Sequence, residues 1–262
     1  MEFSFDLISD LHIETWNQFN WTGQATSPYC VVAGDISQDR RILEETLRHL
    51  SKCYQGVFFI DGNDEHRNYL NDINGSYNDL RQFVDKFKNV VFLKDNVVVL
   101  NGVAFLAANG WWTYDLDPTI DTHLSQEWFC QRYDVNSAVP DTILSKAVSD
   151  ASYLRHSIRK LQMHQDVRAI VVITHTVPGA WLIDHDLELS GHYRFNTTGN
   201  PLVASALEQD SENKVKAWCF GHYHRPVDRE LNGIRYVNNC RGRGNTPWSQ
   251  AAYYPKRITV SF

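Results

Sequence analysis

The chain has 262 residues, 43% of them hydrophobic, enough to bury a sizeable core in one large α/β domain. Its 31 acidic against 25 basic residues leave a formal charge of −6, which argues against general attraction to nucleic acid or to an anionic membrane surface. Five cysteines, odd in number and without C-x-x-C spacing, argue against a disulfide framework and against a zinc knot.

The opening MEFSFDLISDLH lacks the basic region and long apolar run of a signal peptide, and no later run approaches a membrane span. A cytoplasmic protein with no membrane partner is expected. Short runs rich in Val, Ile and Phe then recur: FSFDLI, CVVA, VFFI, VVFL, VVVL, VAFLAA, AIVVIT, AWCF, IRYV and ITVSF. Their length, β-branching and bounding Gly, Asn or Asp predict strands. After CVVA, Ser37 is placed to cap a helix over Gln38 to Cys53, with Ile42, Leu43, Thr46, Leu47 and Leu50 on one face. A shorter helix fits Tyr77 to Phe87. VVFL with VVVL reads as a hairpin-like antiparallel pair, as does IRYV with ITVSF. Trp111 to Pro140, which contains GWWTYDLDPT, reads as a long loop or insertion over a site. Asp141 can cap a helix over Thr142 to Met163, and Pro201 can open one through Leu207. No repeat or Pro/Ser-rich linker divides the chain, so a single domain over residues 1–262, a mixed α/β sandwich, is expected.

Five of the apolar runs end in residues that can bind a metal: Asp10 and His12, Gly34-Asp35, Gly62-Asn63, His175, and Gly221-His222-Tyr223-His224. In α/β sheets ligands collect beyond the carboxyl ends of strands, so these residues converge if their strands are neighbours. Asp10 and His12 are two apart, as are His222 and His224, and in extended chain such pairs face the same side. Two carboxylates, four imidazoles and one amide oxygen exceed what one octahedral ion takes, whereas two ions sharing Asp35 use them all. Nitrogen and oxygen donors without thiolate fit manganese or iron, with zinc possible.

In order and spacing these blocks resemble the calcineurin-like metallophosphoesterase superfamily, whose motifs read D-x-H, G-D, G-N-H-[DE], a lone H and G-H-x-H. THTVP, WWTYD and VNNCRG resemble further patches of its small bacterial members, so the likeness spans nearly the whole chain. The resemblance implies a four-layer αββα sandwich of two mixed sheets. It implies one metal on Asp10, His12, Asp35 and His224 and a second on Asp35, Asn63, His175 and His222, with a hydroxide between them attacking phosphorus. The implied activity is hydrolysis of a phosphomonoester, phosphodiester or pyrophosphate bond in a small molecule. Thr176, Arg241 and Trp112 are candidate substrate contacts, with Arg243 and Arg225 weaker ones.

The departure is Asp64, where the family has the histidine that protonates the leaving oxygen. An ordinary aspartate is ionised at neutral pH and makes a poor acid. Three accounts stand open: Asp64 keeps a proton, His66 supplies the imidazole unless a helix near Glu65 turns it aside, or the substrate has a good leaving group. An alternative function follows from the same substitution, a metal- and nucleotide-binding sensor with negligible turnover. Asp184, His185, Asp186, His192 and Tyr193 follow the His175 strand as residues of a solvated loop that could shape the pocket.

Overall fold

The computed structural model describes residues 1–16, 24–183, 192–244, 246, 249–250 and 252–262. Each run predicted as a strand forms one, and together they make two sheets among the described residues. The first holds, in spatial order, β11 (Lys256–Ser261), β1 (Glu2–Ile8), β2 (Tyr29–Ala33), β3 (Gly56–Ile60) and β4 (Val90–Phe92), parallel except for β11. The second holds β5 (Val97–Leu100), β6 (Val103–Ala108), β7 (Ala169–Thr174), β8 (Val215–Phe220), β10 (Ile234–Asn238) and β9 (Val227–Leu231), with parallel pairing from β6 to β10 and antiparallel edges.

Both predicted hairpins are corrected by this pairing. VVFL ends the first sheet beside β3 while VVVL opens the second beside β6, and IRYV pairs with the unpredicted strand β9 while ITVSF pairs with β1. Pairing is decided by which strand completes a buried face, not by proximity in sequence.

Strand alternation builds the layers. Val103, Phe105 and Ala107 of β6, with Val171 and Ile173 of β7, face the first sheet and join the core of Phe5, Leu7, Val31, Phe58 and Ile258. Their alternates Ala104, Leu106, Ile170 and Val172 face outward and are covered from α4 (Val139–Gln162) by Leu154, Ile158 and Leu161. On the outside of the first sheet, α1 (Arg40–Cys53) and α2 (Ile73–Val84) bury Leu43, Leu47, Leu50, Leu80 and Val84. The result is the four-layer αββα sandwich.

Helix starts shift for local reasons. Asp39, not Ser37, caps α1 by accepting from the Arg41 and Ile42 amides at 2.8 and 3.1 Å. Asp72 caps α2, which starts at Ile73, four residues ahead of Tyr77, and α4 begins at Val139 because Pro140 suits a first turn. The predicted loop between Trp111 and Pro140 contains α3 (Thr122–Tyr133), capped by Asp121. The helix opened by Pro201 is α5 (Pro201–Ala204), continued as a 3-10 turn over Ser205–Gln209. No described helix is long and apolar enough to cross a membrane.

Candidate metal centre

The carboxyl ends of β1, β2, β3, β7 and β8 meet along one edge where the two sheets adjoin, and each delivers at least one of the expected donors. Main-chain bonds lock the meeting: Asp10 N donates to Gly34 O at 3.0 Å, His12 N to Asp35 O at 3.1 Å, and Gly221 N to His175 O at 2.8 Å. The strand-end pairs do not converge as extended chain, however. Asp10, His12, Asp35, His222 and His224 all have left-handed torsions, with φ of 50°, 42°, 55°, 65° and 58°. Alternate positions therefore meet through sharp reversals, each sparsely populated by residues other than glycine.

Gly34 and Gly62 make room for those reversals. Gly34 has φ of 82°, and a Cβ there would lie 2.5 Å from His175 Nδ1. At Gly62 a Cβ would overlap Asp35 Oδ1. Neither position admits a side chain while the carboxylate and imidazole stay in place.

Asp35 stands between two donor groups. On one side are Asp10, His12 and His224, on the other His175 and His222, each group with ligand atoms lying within 4.8 Å of one another. His12 Nε2 is 2.8 Å from His224 Nε2 and 3.7 Å from Asp35 Oδ2, and His224 Nε2 is 3.3 Å from Asp10 Oδ1. His175 Nε2 is 3.4 Å from Asp35 Oδ1 and 3.1 Å from Asn63 Oδ1. Donors held at about 2.1 Å from an octahedral ion stand roughly 3 Å apart along an edge, so these separations fit two adjacent cation sites.

Hydrogen bonds at the far side of each ring fix which nitrogen faces inward. His175 directs Nδ1 at the Ala33 carbonyl at 2.9 Å and presents Nε2 to the cluster. His222 directs Nε2 at the Thr197 carbonyl at 2.9 Å, and its buried Nδ1 has no hydrogen-bond partner. Asp10 Oδ2 is likewise buried and without a hydrogen-bond partner. Asn63 donates its amide to Asp64 Oδ1 at 3.0 Å, which leaves Oδ1 for the cluster. Burial disfavours the charged form of Asp10, yet the His224 contact outweighs it and holds the carboxyl below its ordinary range. Burial pulls His175 down, but the Asp35 carboxylate lifts it to about 10; burial and the charge of His175 take His222 down to about 3. The donor set thus fits a pair of divalent cations.

The remaining expected site residues separate. Trp112 borders the pocket, its ring stacked on His222 at 5.6 Å and 16°. Trp111 and Tyr114 are fully buried and pack beneath it. Thr176 is corrected: it is buried, and its hydroxyl donates to the Gly110 carbonyl, tying down the loop after β6. Arg241 is corrected as well. Its guanidinium stacks 4.1 Å over Trp16 and is not part of the pocket lining, whereas Arg243 is. The intervening Gly242, with φ of 79°, turns the chain between the two arginines. Arg225 does not line the pocket, His192 and Tyr193 begin the turn that carries Arg194, and Asp184, His185 and Asp186 lie outside the described residues.

His66 is corrected too. The chain after Asn63 coils into a 3-10 helix over Asp64–Asp72, which turns the ring into the protein, where it bonds Asp61 Oδ2 at 3.0 Å and Ser76 Oγ at 2.8 Å. It is fully buried and cannot reach a substrate. Asp64 does reach the pocket, but as a carboxylate. Burial raises it, and the His12 ring 3.1 Å away, together with Arg243 and Arg67, lowers it below its ordinary range. Asp64 Oδ2 stands 3.1 Å from the His12 nitrogen that faces away from His224, a contact without hydrogen-bond geometry that places the carboxylate to orient the ring. Asp64→Ala is expected to weaken metal affinity about 10- to 100-fold, the usual effect of losing such a partner. Competition against a chelator measures it, and unchanged affinity would refute the orienting role.

Two features have roles that the sequence does not mark. Glu65, buried at 2% exposure, accepts four main-chain N–H bonds, from Asp35, Ile36, Ser37 and Gly62 at 3.0, 2.7, 3.3 and 2.7 Å. Burial and the Asp35 charge push its carboxyl up to about 8 against the Gly62 and Asp35 amides and the charge of His175. Arg67, Arg132, Arg194 and Arg243 converge on a cavity of about 460 Å³ above the donors.

The chain aligns over 97% of its length with 95% of a phosphopantetheinyl hydrolase from Mycobacterium tuberculosis, at a TM-score of 0.68 and 15% identity. It aligns over 97% of its length with 91% of a dimetal phosphatase from Danio rerio, at a TM-score of 0.55 and 14% identity. No protein-family model and no curated protein sequence matches it. The likeness to these two hydrolases is one of fold, the αββα sandwich described above.

Proposed function

We propose that the chain is a phosphoric ester hydrolase dependent on two divalent cations and acting on a small phosphate-bearing molecule. The observation that carries this reading is the convergence of Asp10, His12, Asp35, Asn63, His175, His222 and His224 from five strand ends on one buried edge. Asp10, His12, Asp35 and His224 would hold one ion, and Asp35, Asn63, His175 and His222 the other, with manganese or iron preferred and zinc possible. When bound, such ions neutralise phosphoryl oxygens and bring the pKa of water down to about 7.

The chain's own groups then have separate tasks. Arg243 and Arg67 stand at the pocket wall beside Asp64 and can meet phosphoryl oxygens. Trp112 covers the His222 ring and narrows the access of water. Asp64 receives N–H groups on both oxygens, from Asn63 and Arg243, and so has no proton to give. With His66 turned inward, no carboxylic acid or spare imidazole of the described pocket lining stands ready to protonate a leaving group. The leaving group of this reaction is therefore one that departs as a stable anion. The five free thiols fit a reducing compartment, and a cytoplasmic site of action is part of the proposal.

A sensor that binds metals and a nucleotide but barely turns it over is the second reading, favoured by that missing acid. The decisive comparison is manganese-loaded protein on bis(4-nitrophenyl) phosphate and on an alkyl phosphate ester. The aryl ester is expected to be hydrolysed at least 10²-fold faster, the usual size of general-acid assistance. Two inert esters with full metal content would establish the sensor, and absence of bound metal would end both readings.

A further inference from the structure

We propose that the substrate is an organic diphosphate cut at its phosphoanhydride bond, with the leaving phosphate held by Arg132 and Arg194. This rests on the hydrolase reading of the same pocket. The supporting observation is the distribution of charge. The cavity is lined by four arginines against two carboxylates, Asp35 and Asp64, in a chain whose overall charge is negative. Both carboxylates belong to the floor, where Asp35 sits between the donor groups and Asp64 stands against His12 and accepts from Arg243.

The arginines fall into two pairs. Arg67 and Arg243 are anchored near the floor by contacts to Asp64, and Arg67 also lies 4.7 Å over the Tyr133 ring, which fixes the direction of its fork. Arg132, in the last turn of α3, and Arg194, in the 3-10 turn over Tyr193–Thr197, are exposed and form no ion pair with any described residue. Two such guanidinium groups around one cavity, beyond a cation-binding floor, make a second anion site. The planar donor fork matches a phosphate. The half-buried Trp128, which also lines the cavity, offers a ring beside that site for the organic part.

This second site also resolves the missing acid. Water's oxygen bonds to one phosphorus while the bridging P–O bond breaks. The bridging oxygen keeps the bonding pair and departs as part of a phosphate anion, and water's proton passes to solvent. Unlike an alkoxide, that leaving oxygen needs no proton at neutral pH, and paired guanidinium groups stabilise its charge as it develops.

The test uses manganese-loaded wild-type protein and an R132A/R194A double variant on ADP, AMP and bis(4-nitrophenyl) phosphate. Wild type is expected to show kcat/KM for ADP at least 10²-fold above that for AMP. The double variant is expected to lose about 10²-fold on ADP, mostly through KM, and at least tenfold less on the aryl ester, as befits the loss of charge-assisted bonds to the distal phosphate. Equal rates on ADP and AMP, or equal losses on ADP and the aryl ester, would overturn the diphosphate assignment and leave the hydrolase standing. If wild type turns over none of the three, the hydrolase reading fails, and calorimetric binding decides the rest. ADP bound at least tenfold more tightly than AMP, with that advantage abolished in the double variant, upholds the second anion site; equal affinities refute it.

Discussion

Asp35→Ala is expected to remove at least one cation and to lower turnover of an aryl phosphate ester by about 10³-fold or more. The reasoning is positional. Asp35 is the one carboxylate shared by both donor groups, with Oδ1 3.4 Å from His175 Nε2 and Oδ2 3.7 Å from His12 Nε2. Losing a single preorganised electrostatic contact at a reacting centre typically costs 10²- to 10³-fold, and here the loss falls on both cation sites at once. Asp35 Oδ1 also accepts the Asp64 amide at 2.8 Å, so the truncation loosens the segment bearing Asn63 as well. Elemental analysis of dialysed protein beside a rate measurement checks the claim. A variant that keeps paired ions and more than a tenth of its rate would show that Asp35 is not shared.

Glu65→Ala should be the most destabilising single change near the site. The carboxyl group gathers amides from two strand exits, and its removal leaves four buried N–H donors without partners. Each orphaned donor costs about 1–3 kcal/mol, and water entering the vacated space recovers part of the sum. A net loss of about 4 kcal/mol follows, a large share of the roughly 5–15 kcal/mol that holds a typical domain. Glu65→Gln keeps one accepting oxygen and turns an amide group toward the other two donors, so about half that loss is expected. Urea unfolding with an unchanged slope measures both. A Glu65→Ala midpoint within the equivalent of 1 kcal/mol of wild type would refute the clamp.

The donors were legible in the sequence because each follows a short apolar run, and parallel strands must end at a common edge. Asp10, Asp35, Asn63, His175 and His222 needed only that rule to be brought together. Strand partners were less legible, since VVFL and VVVL are adjacent in sequence yet border different sheets. His66 misled because spacing of two faces one way only in extended chain, and the 3-10 coil after Asn63 rotates it inward. Arg241 misled for a similar reason at Gly242. Arg132 and Arg194 left no local trace, for their importance arises only when a helix and a turn some sixty residues apart close over the same cavity. Glu65 was visible as one acid among several, and only the tertiary structure shows which amides it serves.

The left-handed torsions at Asp10, His12, Asp35, His222 and His224 bear on any attempt to transplant this chemistry. Grafting the seven side chains onto straight strand ends of another sandwich will aim them at different points, because their directions are written into main-chain angles that cost about 1–2 kcal/mol apiece. A faithful copy must carry over the reversing segments and the glycines that admit them, so the transferable unit is a rim of backbone rather than a set of ligands.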